Sequence, residues 1–194
     1  MSRTRRPVAA ALLSAVLVAG LAGPSDAAPP RTRTYTDAQS DATRYTSPPV
    51  PAAYSDLGEL YRARVFTEGT WLKIQFGLRN VIPDDVRIWT KLVATFHIGS
   101  EYLVARISSE ERSTLAIERG SDYAELCAGK VRKSDQPEYD RSTIAIPLSC
   151  LPAGQDLKMS VVGSDVYYRT KVGAKYNSIA TDSMSPLPGK VRIR

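Results

Sequence analysis

The sequence predicts an all-β protein, a single-domain antiparallel β-sandwich of immunoglobulin-like or jelly-roll type with room for one short helix. Three observations carry this. Short stretches alternate apolar and polar residues, turn signals separate them at fairly regular intervals, and no segment sustains a long helical period.

The chain opens on a pattern that belongs to export rather than to the fold. Arg3, Arg5 and Arg6 precede an apolar run from Val8 to Ala22, and Ser25-Asp26-Ala27 sets small residues at −3 and −1 of a cleavage point before Ala28. Residues 1–27 are therefore expected to be a signal peptide and the product to be secreted. The run is short of the ~18 to 20 apolar residues a bilayer crossing needs. No cysteine follows it for lipid attachment, and Leu187-Pro188-Gly189 lacks the threonine and apolar tail of a wall-sorting signal, so no stable membrane anchor is expected. Without residues 1–27 the 194 become 167, about one domain. Loss of three arginines and Asp26 lowers the formal charge from +6 to +4. That surplus suits an anionic surface polysaccharide or an extracellular protein as partner, and is too diffuse for nucleic acid.

Residues 28–55 carry Pro29-Pro30 and Pro48-Pro49 among Thr, Ser, Asp and Ala without apolar periodicity, which reads as a flexible N-terminal arm. The sandwich domain is expected over residues 56–194. Tyr61 to Val65 and Leu72 to Arg79 both alternate, and Glu68-Gly69 between them supplies a tight turn, so the first hairpin lies here. A two-residue turn at that point sets Val65 opposite Leu72, Ala63 opposite Ile74 and Tyr61 opposite Phe76 on an apolar face. The other face then carries Phe66 opposite Trp71 and Arg64 opposite Lys73, two cations that need an acidic neighbour or an anionic ligand.

Val86 to Ile98 and Tyr102 to Ile107, joined at Gly99-Ser100, form the second expected hairpin. Residues 109–126 are ambiguous: Ser109-Glu110-Glu111 can open a short helix, which Gly120 and Asp122 would interrupt. Thr143 to Ile146 and Leu157 to Val162 read as late strands, linked through Cys150 and Pro152-Ala153-Gly154. From Gly163 to Arg194 the pattern fades into an irregular tail bearing Tyr, Ser and Pro. Cys127 and Cys150 are the two cysteines of an exported chain and are expected to form a disulfide. Closing a loop of about 24 residues stabilises a fold by roughly 3 kcal/mol.

Asp41-Ala42, Ser55-Asp56-Leu57, Glu101-Tyr102, the run Asp140 to Leu151 with its Pro147 and Cys150, and the alternating Leu157 to Val162 together resemble a group of small exported β-sandwich proteins common in actinobacteria. The architecture is more distantly similar to family 9 carbohydrate-binding modules and related sensory sandwich domains. The resemblance spans roughly Asp41 to Val162 and implies a sandwich fold. It places no sugar-stacking or calcium-binding residue on this chain, and the glycine that commonly precedes the Asp41 position is missing.

Chemistry is sparse. The lone histidine, His97, sits among Ala94, Thr95, Phe96 and Ile98, a setting where a structural role outweighs that of base or ligand. There is no Gly-x-Ser-x-Gly elbow, His-Glu-x-x-His, phosphate-cradling loop or Cys-x-x-Cys, so His- or zinc-based hydrolysis, a metal centre and a cofactor are not expected. Paired carboxylates at Asp84-Asp85, Glu110-Glu111 or Asp135 to Asp140 leave a small secreted hydrolase as the alternative. The leading expectation is a secreted, non-enzymatic binding or interaction module for an anionic glycan or cell-wall polymer. Its candidate ligand-binding residues are Phe66, Trp71, Arg62, Arg64 and Lys73, with Gln75 beside them: rings to stack on a sugar, cations to meet its acid. Phe66 and Trp71 can equally close the sandwich edge beneath the arm. Tyr167-Tyr168 and Tyr176 form a second aromatic group, read as a cap under the tail.

Overall fold

A computed structural model describes residues 30–37, 41–45, 49–54, 57–79, 87–108, 114–119, 122–127, 129–136, 141–153 and 156–193. The expected signal peptide, Asp84-Asp85, the helix start at 109–113 and Asp140 lie outside them. Among the described residues no helix is long and apolar enough to cross a membrane.

Among the described residues twelve strands build two antiparallel sheets. In chain order they are β1 (Thr32–Thr36), β2 (Thr43–Arg44), β3 (Leu60–Glu68), β4 (Trp71–Leu78), β5 (Ile88–Ile98), β6 (Glu101–Ser108), β7 (Thr114–Arg119), β8 (Asp122–Leu126), β9 (Arg132–Gln136), β10 (Arg141–Pro147), β11 (Leu157–Tyr168) and β12 (Asn177–Met184). One sheet has five strands in the order β1-β3-β4-β10-β9; the other has seven, β2-β12-β11-β5-β6-β7-β8. The sandwich is thus the fold. Residues 114–126 are strand wherever described, and the helical turns described are short 3-10 segments at Ala52–Tyr54 and Leu148–Cys150.

Alternation sets the core. Ala63, Val65, Leu72, Ile74 and Phe76 from the first hairpin and Leu92, Ala94, Phe96 and Ile98 from β5 are fully or almost fully buried and belong to one cluster between the sheets. Their even spacing puts them on one side of each strand, and burying large apolar side chains contributes about 1.5–3 kcal/mol apiece. Leu57, Ile88, Val166, Tyr168, Ile179 and Ala180 make a second, smaller cluster.

Three expectations are corrected here. Residues 28–55 are not simply an arm: Tyr35 in β1 is buried opposite Ala63, and β2 caps the edge of β12. A single buried apolar residue, Tyr35, anchors β1, and the exposed Thr43-Arg44 of β2 contains none, so no periodicity announces either strand. The irregular tail is also partly sheet, since β11 continues to Tyr168 and β12 pairs with it, while Leu187, Val191 and Ile193 are buried beyond β12. Finally, the first hairpin turns at Gly69-Thr70, with Glu68 opposite Trp71, Val65 opposite Ile74 and Ala63 opposite Phe76. Gly69 takes the left-handed conformation, φ 56°, that a two-residue hairpin turn favours. The register differs by two from the expected one, so every side chain keeps its face while its partner changes. A bulge between Leu60 and Arg62 displaces Tyr61 from the inward row, and Leu60 is buried in its place.

Two joints hold the sheets together besides the core. Cys127, just past β8 of the seven-stranded sheet, is bridged to Cys150, just past β10 of the five-stranded sheet, with Cα atoms 5.8 Å apart. At the far end the Leu60 N–H, freed beside the bulge, donates to Asp182 Oδ2 of β12 at 2.6 Å. A buried amide without such an acceptor would cost about 1–3 kcal/mol.

Candidate functional site

Ladder registry decides which side chains share a surface. Across the outer face of the five-stranded sheet one row runs Thr32, Phe66, Lys73, Ala145, Arg132, and the next runs Thr34, Arg64, Gln75, Thr143, Ser134. Trp71 stands beyond Lys73 on the same side, between Glu68 and Pro147. All the residues singled out from the sequence, Phe66, Trp71, Arg62, Arg64, Lys73 and Gln75, therefore lie on one face.

A groove of 450 Å³ crosses this face, and Phe66, Trp71, Lys73 and Gln75 line it together with Arg132 and Thr143. Arg62 and Arg64 are not in its wall. Arg64 lies over the Phe66 ring, its guanidinium carbon 4.6 Å from the centroid, and Arg132 lies over Trp71 at 4.8 Å. Arg62 leans on Tyr61 at 5.7 Å. Phe66 and Trp71 are half-buried.

This arrangement changes the chemistry expected of the site. Arg64 faces Gln75 in the ladder, and Lys73 faces Phe66, so the two cations are not opposed. Lys73 instead pairs with the carboxylate of Glu68. The rings each carry a guanidinium on one face, a contact that orders a flexible side chain. The aromatics thus serve as props for arginines. The cations Arg62, Arg64, Lys73, Arg132 and Arg141 stand on this face, and Lys133 and the carboxylate residue Glu68 also line the groove.

Arg132 is the residue that sequence reading missed. It begins β9, whose run Arg132-Lys133-Ser134-Asp135-Gln136 has no apolar alternation to mark a strand. The available signal was Val131, a lone apolar residue before a basic pair, which is buried.

Other chemistry-bearing groups lie elsewhere. His97 is on the outer face of the seven-stranded sheet, against Tyr102 with ring centres 5.1 Å apart. The second aromatic group divides: Tyr167 and Tyr176 flank Trp89 at 4.3 and 5.9 Å on that outer face, whereas Tyr168 points inward and packs on Tyr54. Asp37, Asp41 and Asp182, of which the sequence reading named only Asp41 and gave it no ligand role, present carboxylate oxygens within 4.8 Å of one another, a spacing in which a hard cation can be held. Burial pushes the Asp182 carboxyl above its ordinary value against the Leu60 N–H that lowers it, and the charges of Glu59, Asp37 and Asp41 add to the rise. Glu59 in turn pairs with Arg44 at 3.2 Å.

No protein-family model matches the chain, and no curated protein or solved structure matches it. Its class is defined by its own geometry: a two-sheet antiparallel β-sandwich with a basic, arginine-and-aromatic groove on one face.

Proposed function

We propose that this chain is an exported, non-enzymatic binding module that takes an anionic surface polymer, such as a uronate- or sulfate-bearing glycan, on the outer face of its five-stranded sheet. The observation that carries this reading is the pair of ring-propped arginines, Arg64 over Phe66 and Arg132 over Trp71, beside the Lys73 groove. Each guanidinium presents a planar fork that matches carboxylate or sulfate in two parallel hydrogen bonds. Lys73 and Arg132 stand two strands apart, roughly 10 Å at the usual strand spacing, so an extended chain can meet both. The export-signal pattern and the resemblance to exported sandwich proteins support an address outside the cytoplasm.

Retention on beads carrying polygalacturonate or heparin, against a neutral dextran control, tests the site. The wild type should be retained and released by salt, since exposed charges are screened over about 8–10 Å at physiological ionic strength. Arg64→Ala combined with Arg132→Ala should lower affinity by about tenfold or more, two charge-assisted contacts being lost. Equal retention of that variant, or no retention of the wild type on either glycan, would sink the assignment.

A further inference from the structure

The opposite side of the sandwich has a depression of its own. It measures 320 Å³ and lies on the outer face of the seven-stranded sheet, over the middle of β11 and beside β2. That is the lower end of the ~300–1,000 Å³ that ligand pockets occupy, room for a single sugar-sized unit.

Its floor is Gly163, with Val93 on β5 and Ser183 on β12 as ladder neighbours. Nothing in the fold demands glycine there. Gly163 is not among the glycines in the left-handed region, and an added Cβ would meet only the Asp182 carbonyl oxygen at 3.4 Å and Ser183 Cβ at 3.9 Å, ordinary contacts. Glycine inside a strand weakens it and marks places where a ligand or another backbone approaches closely. Among the described residues the backbone atom nearest that position is the Asp182 carbonyl oxygen of the neighbouring strand.

The walls determine what fits. Asp41, Asp165, Asp182, Thr43, Thr181 and Ser183 bring carboxylates and hydroxyls to the lining, which among the described residues contains no lysine or arginine. Lys91 faces Asp165 across the β5–β11 ladder. Burial pushes the Asp165 carboxyl above its ordinary range, outweighing the opposing pull of Lys91.

We infer that the depression at Gly163 is a second ligand site that takes a protonated primary amine on a polyhydroxyl frame, such as an amino sugar without its acetyl group. The ammonium sits between Asp165 and Asp41, and the Thr and Ser hydroxyls accept from or donate to the sugar. Charge complementarity selects this occupant: the pocket is rich in acceptors and is lined by the aspartates Asp41, Asp165 and Asp182, whereas the groove on the other face is basic. The two sites are independent.

Titration calorimetry or NMR with glucosamine, N-acetylglucosamine and calcium chloride as separate probes tests it. Glucosamine should bind, and N-acetylglucosamine, which has lost the charge, should bind at least about tenfold more weakly. Asp165→Asn should weaken glucosamine binding by about tenfold with an unchanged melting temperature, and Gly163→Leu should abolish it by filling the floor. The Arg64→Ala and Arg132→Ala variant, which tests the other face, should bind glucosamine as the wild type does. No glucosamine binding, equal binding of the acetylated sugar, competition by calcium alone, or undiminished binding by Asp165→Asn would each overturn the inference.

Discussion

The two outer faces of this sandwich are built on the same ladder geometry and end as opposites. On the five-stranded sheet, long cations and rings crowd the surface, with Arg64 and Arg132 lying on Phe66 and Trp71. On the seven-stranded sheet, Gly163, Val93, Thr181 and Ser183 are small and leave a hollow flanked by carboxylates. Both inner faces, by contrast, feed the larger apolar cluster. The lesson is that strand period two assigns a residue to a face, while the character of that face is set by which strands lie side by side. Substitutions inside should therefore affect both sheets alike, and substitutions outside should separate them.

The largest effect is expected where the sheets are equivalent. Phe76 of β4 and Phe96 of β5 are both fully buried in the shared cluster. Truncating either to Ala should cost about 3–5 kcal/mol, read as a lower urea midpoint, because the lost transfer energy is joined by the cavity left behind. A loss confined to one of the two would mean that the sheets do not share a core.

Next come the joints. Replacing both Cys127 and Cys150 with Ser frees the end of β8 from the turn after β10. The bridge spans a sequence separation of 23, so the denatured chain gains about 3 kcal/mol of loop freedom, and the urea midpoint should fall accordingly. An unchanged midpoint would assign the joint to packing of Leu126 and Leu148 against the core rather than to the bridge.

The opposite joint responds to pH. Asp182 is buried and its carboxyl is raised above the ordinary 3.8 by burial and then by the neighbouring carboxylates, so the folded state holds the proton more tightly than the unfolded chain. Stability contributed at this residue is thus highest below the unfolded value, falls as pH rises through the raised one, and stays at the lower level above it. Asp182→Asn removes the charge and keeps an oxygen for the Leu60 N–H. Urea midpoints measured across this range should show the variant without that downward component and no less stable than the wild type at neutral pH. A wild-type minus variant difference that does not change with pH would refute the account.

How much of this was legible in the sequence differs between the faces. Ala63, Val65, Leu72, Ile74 and Phe76 disclosed the first hairpin and its faces, because moving the turn from Glu68-Gly69 to Gly69-Thr70 shifts register by two and preserves them. The candidate ligand residues landed together for that reason. Their contacts did not follow, since Arg132 comes from β9, a polar edge strand some sixty residues later whose pairing with β10 no local pattern reveals. β1 and the hollow at Gly163 were hidden likewise: one depends on Tyr35 alone, and the other on a missing side chain read as the start of a tail.

The smallest effect sharpens the contrast between faces through glycine. Gly58 has φ 83°, and a Cβ there would come within 2.6 Å of Val166 Cγ2, inside the smaller core cluster. Gly58→Ala should therefore destabilise by more than 1 kcal/mol, from backbone strain and overpacking together. Gly163 meets neither obstacle, so Gly163→Ala should stabilise by about 0.5–1 kcal/mol through reduced freedom of the unfolded strand, seen as a small rise in melting temperature. If Gly163→Ala instead destabilised the protein, glycine there would be a requirement of the sheet, and the hollow would lose its standing as a site kept open for a ligand.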